Sequence, residues 1–202
     1  MPDGARLHGR AVTLHPIAEP DYEDVRRALD FPPVWAHLPT PPPQDVQEMS
    51  DLVDSLRRRG FHPWVLRLAA DLTVRGGAVI PAGSAVGWSS YLEVSAPDAR
   101  LEIGNTAYNP AVWGSAVNPE AKLLLLGYAF EGLSMGRVQL KTDVRNVRSQ
   151  RAIAGIGAKY EGLLRRYQRR ADGTVRDTVQ FSVTAEDWPD VRRGLQARLT
   201  PA

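Results

Sequence analysis

Residues 113–122, WGSAVNPEAK, have the composition of a loop that leads into a helix with an accessible N-terminus. Asn118 is a favourable N-cap residue, and Pro119 suits the first helical position, where a backbone N–H has no partner in the helix. The first amides of a helix and the helix dipole favour an anion, and the small residues 114–116 allow close approach to the backbone. The stretch therefore predicts a site for a group such as a pyrophosphate. An ordinary connection between a strand and a capped helix explains the same residues.

The elements that must position this site are predicted from the spacing of apolar residues. Strands are predicted over 9–15, 61–69, 85–94, 100–108, 137–142, 160–169 and 178–184. Helices are predicted over 20–29, 44–59, 119–135, 146–156 (with Asn146 or Ser149 as the first residue) and 187–199. A proline-stiffened loop, 31–43, joins the first two helices. This order predicts a mixed α/β (α+β) fold with one large antiparallel region, and we expect a single domain over residues 1–202.

Composition restricts the function classes. The chain has no cysteine, which excludes disulfides, zinc-thiolate sites and a thiol nucleophile, and its four histidines lack metal-ligand spacing. Of 25 basic residues only Lys122, Lys141 and Lys159 are lysine. The arginine clusters at 57–59 and 165–170 are short and mixed with acids, which favours solvated faces over a nucleic-acid-binding patch. The apolar runs are too short for a membrane span and the N-terminus lacks the apolar segment of a secretory signal, so we expect a cytoplasmic protein.

Three segments together resemble the GNAT N-acetyltransferases, in particular the branch that includes the RimJ and RimL ribosomal-protein acetyltransferases. They are LEIGNTAYNP (101–110), WGSAVNPEAKLLLLGYAFE (113–131) and DVRNVRSQRAIAGIGAKYEG (143–162). The last is similar to the family pattern N-x-x-S-x-x-A-I-x-x-x-G-A. The resemblance implies the GNAT fold, with a mixed, mostly antiparallel seven-stranded sheet and helices on both faces. It also implies transfer of the acetyl group of acetyl-CoA to a primary amine by direct attack, without a metal, and makes a homodimer plausible.

The family pattern also implies roles for particular residues. Glu102 would be the general base and Ser149 would donate a proton to the leaving thiolate. Glu93 is the second candidate for the base, and a surface ion pair explains Glu102 equally well. A backbone amide within 105–108, where the family often has a bulge, would bind the developing oxyanion. The acetyl-CoA-binding residues implied are Trp113, Gly114, Ser115, Ala116, Val117, Asn118, Asn146, Ser149 and Arg151.

The acceptor amine would be a protein N-terminus, an amino acid or another small amine. Trp35, His37, Trp88 and Tyr91 are candidates for its pocket, although aromatic residues more often belong to the core. Asn146 and Ser149 have an alternative role too, since both residue types cap helices well.

The loop departs from the family pattern Gln/Arg-x-x-Gly-x-Gly/Ala in two places. Ala116 stands where glycine is expected, and Asn118 stands where a small residue is expected. Gly155 replaces a common lysine, and Arg148 or Arg151 could supply that charge. A catalytically weak or inactive GNAT-fold module that binds CoA is therefore the alternative to an enzyme, and an arginine-rich RNA- or ribosome-associated protein is a third hypothesis.

Overall fold

The computed structural model describes residues 5–200, which form a large sheet with helices on both of its faces. In chain order the strands and helices are β1 (Leu7–His8), β2 (Val12–Pro16), α1 (Tyr22–Ala28), α2 (Pro32–Trp35), α3 (Val46–Arg58), β3 (His62–Leu68), β4 (Leu72–Thr73), β5 (Val79–Ile80), β6 (Ala85–Ser95), β7 (Arg100–Tyr108), α4 (Val117–Gly127), β8 (Arg137–Asp143), α5 (Val147–Gly155), β9 (Lys159–Arg169), β10 (Val175–Thr184) and α6 (Trp188–Leu199). None of these helices has the length and apolar character that a membrane span needs.

The main sheet has the strand order β1-β2-β3-β6-β7-β8-β10-β9, and β4 pairs with β5 in a separate hairpin. All neighbours in the main sheet are antiparallel except β7 and β8, which are parallel. The mixed, mostly antiparallel sheet is as predicted, but it has eight strands instead of seven. The additional strand is β1, whose two residues pair with β2 at the edge. Two residues are too few to show an alternation of apolar and polar side chains.

Most helices begin and end near the predicted residues. α3, predicted over 44–59, spans Val46–Arg58, and the Asp45 side chain accepts a hydrogen bond from the Glu48 amide at its start. The helix predicted over 119–135 is shorter, because α4 ends at Gly127 and a single π-helical turn over 128–132 follows. The predicted proline loop contains the one-turn helix α2.

Each face of the sheet carries its own apolar core. α1–α3 pack on one face, where Trp35 contacts Trp88 edge-on with ring centroids 6.1 Å apart. α4–α6 pack on the other face, where Trp64 and Tyr91 lie 6.0 Å apart. Full burial of a large apolar side chain stabilises the fold by about 1.5–3 kcal/mol. Both cores therefore hold the central strands firmly, and β6 and β7 form part of the frame of the site.

β7 and β8 are paired only at their beginnings. Arg100–Glu102 of β7 lie opposite Arg137–Gln139 of β8, and the pairing stops there. β7 then contains a bulge against β6, and within it Asn105 has a left-handed φ of +47°. Because β8 no longer pairs with β7 beyond Glu102, the sheet opens between residues 103–108 and 140–143.

Candidate active site

A cavity of about 310 Å³ lies at the opening between β7 and β8. Ile103–Tyr108 line it from one strand and Leu140–Thr142 from the other. Its remaining walls come from α2 and the loop after it, the loop before α4, α4 itself, α5, β9 and β10, and they include Val34, His37, Leu38, Pro39, Trp113, Gly114, Asn118, Lys122, Asn146, Arg148, Ser149, Gln168 and Arg176. The three segments that carry the family pattern therefore meet at one cavity.

The helix that borders the cavity begins earlier than predicted. Its N-cap is Ala116, with φ −66° and ψ −14°, and its first residue is Val117. The prediction of Asn118 as N-cap with Pro119 as the first helical residue is therefore wrong by two positions. Ser115 provides the local cap, since its hydroxyl donates to the Val112 carbonyl at 2.7 Å and accepts from the Val117 amide at 3.2 Å. Because the angles of Ala116 are right-handed helical, this position does not require glycine.

The start of α4 has the free donors that a pyrophosphate needs. Within residues 5–200 no acceptor is hydrogen-bonded to the amides of Gly114, Ala116 or Asn118. Gly114 has φ +79°, and nothing lies within 4 Å of where its Cβ would be. Free amides at a helix N-terminus bind anions well, so this loop fits the phosphate groups of a CoA. Ser115, Ala116 and Val117 do not face the cavity with their side chains, and Val117 is buried in the core.

Arg148 supplies the positive charge on this side of the cavity. Its guanidinium stacks on the Trp113 ring, 3.6 Å from the centroid. Arg151, the other residue predicted for this role, is exposed and does not line the cavity.

Glu120 fixes the position of α4 against the sheet. Its buried carboxylate accepts hydrogen bonds from the amides of Arg10, Ala11 and Val12 at 2.6–2.9 Å. A Cβ on Gly9 would lie 2.4 Å from this carboxylate, so Gly9 makes room for it. This side-chain contact between the start of α4 and β2 holds the helix N-terminus at the rim of the cavity.

Asn146 and Ser149 both line the cavity, and Asn146 also caps α5. The Asn146 side-chain oxygen accepts from the Ser149 amide at 3.0 Å. The side-chain nitrogen of Asn146 and the hydroxyl of Ser149 make no hydrogen bond with residues 5–200. Capping and ligand contact are thus compatible here, as the sequence suggested.

Glu102 lies in a buried ion-pair cluster at the inner end of the cavity. Its Oε2 is 2.9 Å from Lys141 Nζ, and Lys141 also donates to Glu93 at 2.7 Å and to the Tyr167 hydroxyl at 2.9 Å. Glu102 is only 5% exposed, and burial raises the pKa of its carboxyl although Lys141 opposes the rise. Burial alone would lower the pKa of Lys141, but the Glu102 charge and its hydrogen bonds raise it overall. Glu102 is thus ion-paired, as the alternative interpretation held, but the pair is buried and does not lie at the surface.

Lys122 is a second buried amine in the cavity wall, and sequence reasoning did not select it. It is 6% exposed, and its Nζ donates to Thr106 Oγ1 of β7 at 3.1 Å. Thr106 in turn hydrogen-bonds to Ser89, 2.7 Å away on β6. Within residues 5–200 no carboxylate pairs with Lys122, and burial lowers its pKa to about 7. The sequence did contain a signal for this residue, because Lys122 and Lys141 are two of only three lysines in a chain whose other basic side chains are arginine or histidine.

The three aromatic residues predicted to bind the acceptor do not line the cavity. Trp35 and Trp88 pack together in the core between the sheet and α1–α3, and Trp35 Nε1 donates to the Leu29 carbonyl. Tyr91 faces the other core, where its hydroxyl donates to the Leu125 carbonyl. His37 does line the cavity, and burial lowers its pKa although Asp143 opposes this. Large aromatic side chains often form the apolar core, so residue type alone did not distinguish residues that line the cavity from residues of the core.

Comparison with known proteins agrees with this geometry. Residues 11–159 match the acetyltransferase (GNAT) domain family. A crystal structure of a T. thermophilus protein, provisionally designated an acetyltransferase, is 36% identical to this chain, with a TM-score of 0.81 over 99% of this chain and 98% of that one. Mycobacterium smegmatis RimJ, solved in complex with CoA-disulfide, shares the fold with a TM-score of 0.77 at 22% identity, over 96% of this chain and 93% of RimJ. The uncharacterised N-acetyltransferase p20 of Bacillus licheniformis is 23% identical over 188 residues, which are 90% of this chain and 97% of p20.

The sheet of this chain opens between β7 and β8 beside the N-terminus of α4, and relatives that share the fold are designated acetyltransferases. The chain belongs to the GNAT acetyltransferase family and is an acetyl-transferring enzyme. The predicted resemblance and the predicted fold are confirmed.

Proposed function

We propose that this protein transfers the acetyl group of acetyl-CoA to a primary amine by direct attack. The observation that carries the proposal is the opening between β7 and β8, with the free amides of the α4 N-terminus at one end and buried Glu102 at the other. A pantetheine chain and an amine can approach each other through such an opening from opposite sides of the sheet.

The residues beside the α4 N-terminus suit the CoA portion of acetyl-CoA. Acetyl-CoA supplies an acetyl group that is activated as a thioester. The amides of Gly114, Ala116 and Asn118, with Arg148 nearby, would hold the phosphates. The edge of β7 beyond Glu102 has no partner in β8, so its backbone groups are available to the amides of the pantetheine chain. RimJ with bound CoA-disulfide supports this assignment at the level of the fold.

The inner end suits removal of a proton from the attacking amine, which reacts only as the free base. Glu102 would accept this proton directly or through water, and its raised pKa makes it a better base than an exposed carboxylate. Ser149 would donate a proton to the leaving thiolate, and backbone amides at the bulge around Asn105 would stabilise the developing oxyanion. The acceptor is an amine of a small molecule or of a protein N-terminus.

Two measurements on the purified protein test this proposal. Acetyl-CoA at ~100 times its Kd should add about 2.7 kcal/mol to the free energy of unfolding, and a panel of primary amines should release free CoA thiol. Arg148→Gln should weaken acetyl-CoA binding, whereas Arg151→Gln, the matched exposed arginine on α5, should not. No stabilisation at millimolar acetyl-CoA would contradict the binding site. Stabilisation without turnover on any amine would instead support a CoA-binding module. The predicted homodimer is a separate question, which light scattering answers.

A further inference from the structure

The carboxylates around the inner end of the cavity already have cationic partners. Lys141 forms an ion pair with both Glu102 and Glu93. Arg170 binds Asp143 with two hydrogen bonds, Nε to Oδ2 at 2.6 Å and Nη2 to Oδ1 at 3.0 Å.

Arg176 of β10 interacts with the charges of Asp143 and Glu102 only beyond ion-pair distance. Within residues 5–200 its one hydrogen bond runs from Nε to Thr178 Oγ1, at 3.0 Å, and no carboxylate lies in ion-pair range of its guanidinium. Both terminal NH₂ groups are therefore without a protein acceptor. The side chain is half-buried. Burial lowers the pKa of Arg176, although Asp143 and Glu102 oppose the effect, and an arginine remains charged in any case.

Arg176 lies at the end of the cavity that is remote from the CoA phosphates. It lines both the main cavity and a second cavity that continues from it past Glu93, Tyr167 and Arg59. The walls of the second cavity do not include Trp113, Gly114 or Arg148, which border the proposed phosphate site. The free guanidinium therefore faces the space that an acceptor, not the cofactor, would occupy.

We propose that Arg176 binds an oxyanion on the acceptor, and that the acceptor is a small amine carrying a carboxylate or phosphate group. This inference rests on the proposed acetyl transfer. A planar guanidinium with two free NH₂ groups matches the two oxygens of a carboxylate or phosphate. The same charge disfavours the protonated amine close by, so a bound oxyanion fixes the acceptor while the amine is free to lose its proton at Glu102.

The test compares matched acceptors that differ only in the anion. Amino acids are paired with their carboxamides, and aminoalkyl phosphates with the corresponding amino alcohols; kcat/KM is measured at saturating acetyl-CoA. The wild-type protein should prefer the anionic member of at least one pair by about tenfold or more, the size expected for a charge-assisted contact. Arg176→Gln should remove this preference and leave the KM for acetyl-CoA unchanged.

Arg59→Gln is the matched control, because Arg59 lines the second cavity but packs on the Phe61 ring, 4.9 Å from its centroid. If Arg59→Gln keeps the preference, a direct contact between Arg176 and the acceptor oxyanion is supported. If both variants lose the preference equally, the cause is the general positive charge of the region, and the inference is overturned. Turnover with no preference for anionic amines, or a preference that survives Arg176→Gln, also overturns the inference while acetyl transfer stands. Absence of both acetyl-CoA binding and turnover overturns acetyl transfer and this inference together. Which pair shows the preference distinguishes a carboxylate from a phosphate.

Discussion

Glu102 of β7 and Lys141 of β8 form an ion pair, 2.9 Å between Oε2 and Nζ, across the place where the two strands stop pairing. Both side chains are almost fully buried. The ion pair therefore lies at the end of the paired segment of β7 and β8, and the cavity begins directly beyond it. A buried pair of this kind is costly to break, because removing one partner leaves an uncompensated charge and costs about 3–5 kcal/mol.

The first prediction concerns the pH dependence of turnover. If Glu102 is the base, kcat/KM should rise with pH through the raised pKa of Glu102, because the carboxylate form is the active one. Glu102→Gln should lower kcat/KM by about 10²–10⁴ and remove this acidic limb, with little change in acetyl-CoA affinity. Glu93→Gln, which changes the exposed acid of the same cluster, should keep the limb. An unaltered pH profile in Glu102→Gln excludes Glu102 as the base.

The second prediction concerns Lys122 and stability. Because its folded pKa of about 7 lies below the ordinary 10.5, the unfolded chain binds more protons between these pH values. Stability should therefore increase as pH rises from 7 to 10.5. The shift corresponds to a burial cost of about 5 kcal/mol at pH 6. Lys122→Met should raise the free energy of unfolding at pH 6, with a smaller gain at pH 10.

Denaturant unfolding at several pH values measures this effect. Lys159→Met is the control, because Lys159 is exposed on β9 and should show no such gain. A gain for Lys122→Met that does not change with pH would indicate better packing alone.

The third prediction compares Gly114 with Ala116, the loop position before α4 where the family pattern has glycine. Gly114→Ala places a Cβ at a φ of +79° and should cost about 1–2 kcal/mol of backbone strain together with acetyl-CoA affinity. Ala116→Gly restores the family residue, but Ala116 is already right-handed helical, so the Kd should stay within about twofold. Calorimetric titration with acetyl-CoA measures both variants. Much tighter binding by Ala116→Gly would mean that the alanine does restrict the loop.

The fourth prediction separates capping from ligand contact on α5. Asn146→Ala removes the hydrogen bond to the Ser149 amide and should cost about 1 kcal/mol, or ~2–4 °C in Tm. Ser149→Ala keeps that cap and should leave Tm nearly unchanged, but it should lower kcat more than acetyl-CoA affinity. Equal losses of kcat and affinity in Ser149→Ala would argue against a proton donor at this position.

Several site features could be predicted because they depend on short stretches of chain. The loop before α4 and the Asn146 cap follow local residue patterns, and the resemblance to the family implied the bulge in the 105–108 region; each lies at the cavity. The error in the start of α4 was also local, since Ser115 and Asn118 are both good caps and only the structure distinguishes them.

The sequence by itself determined the fold class, the family and the three segments that form the site, because apolar spacing and short motifs are properties of neighbouring residues. Only the tertiary structure decided which side chains face the cavity. Trp88 and Tyr91 turn into the cores, while Lys122 and Arg176 turn toward the opening. The direction of a strand side chain depends on pairing and bulges, which here join residues far apart in sequence. The NH₂ groups of Arg176 are free of protein acceptors because neighbouring cations already bind the nearby acids.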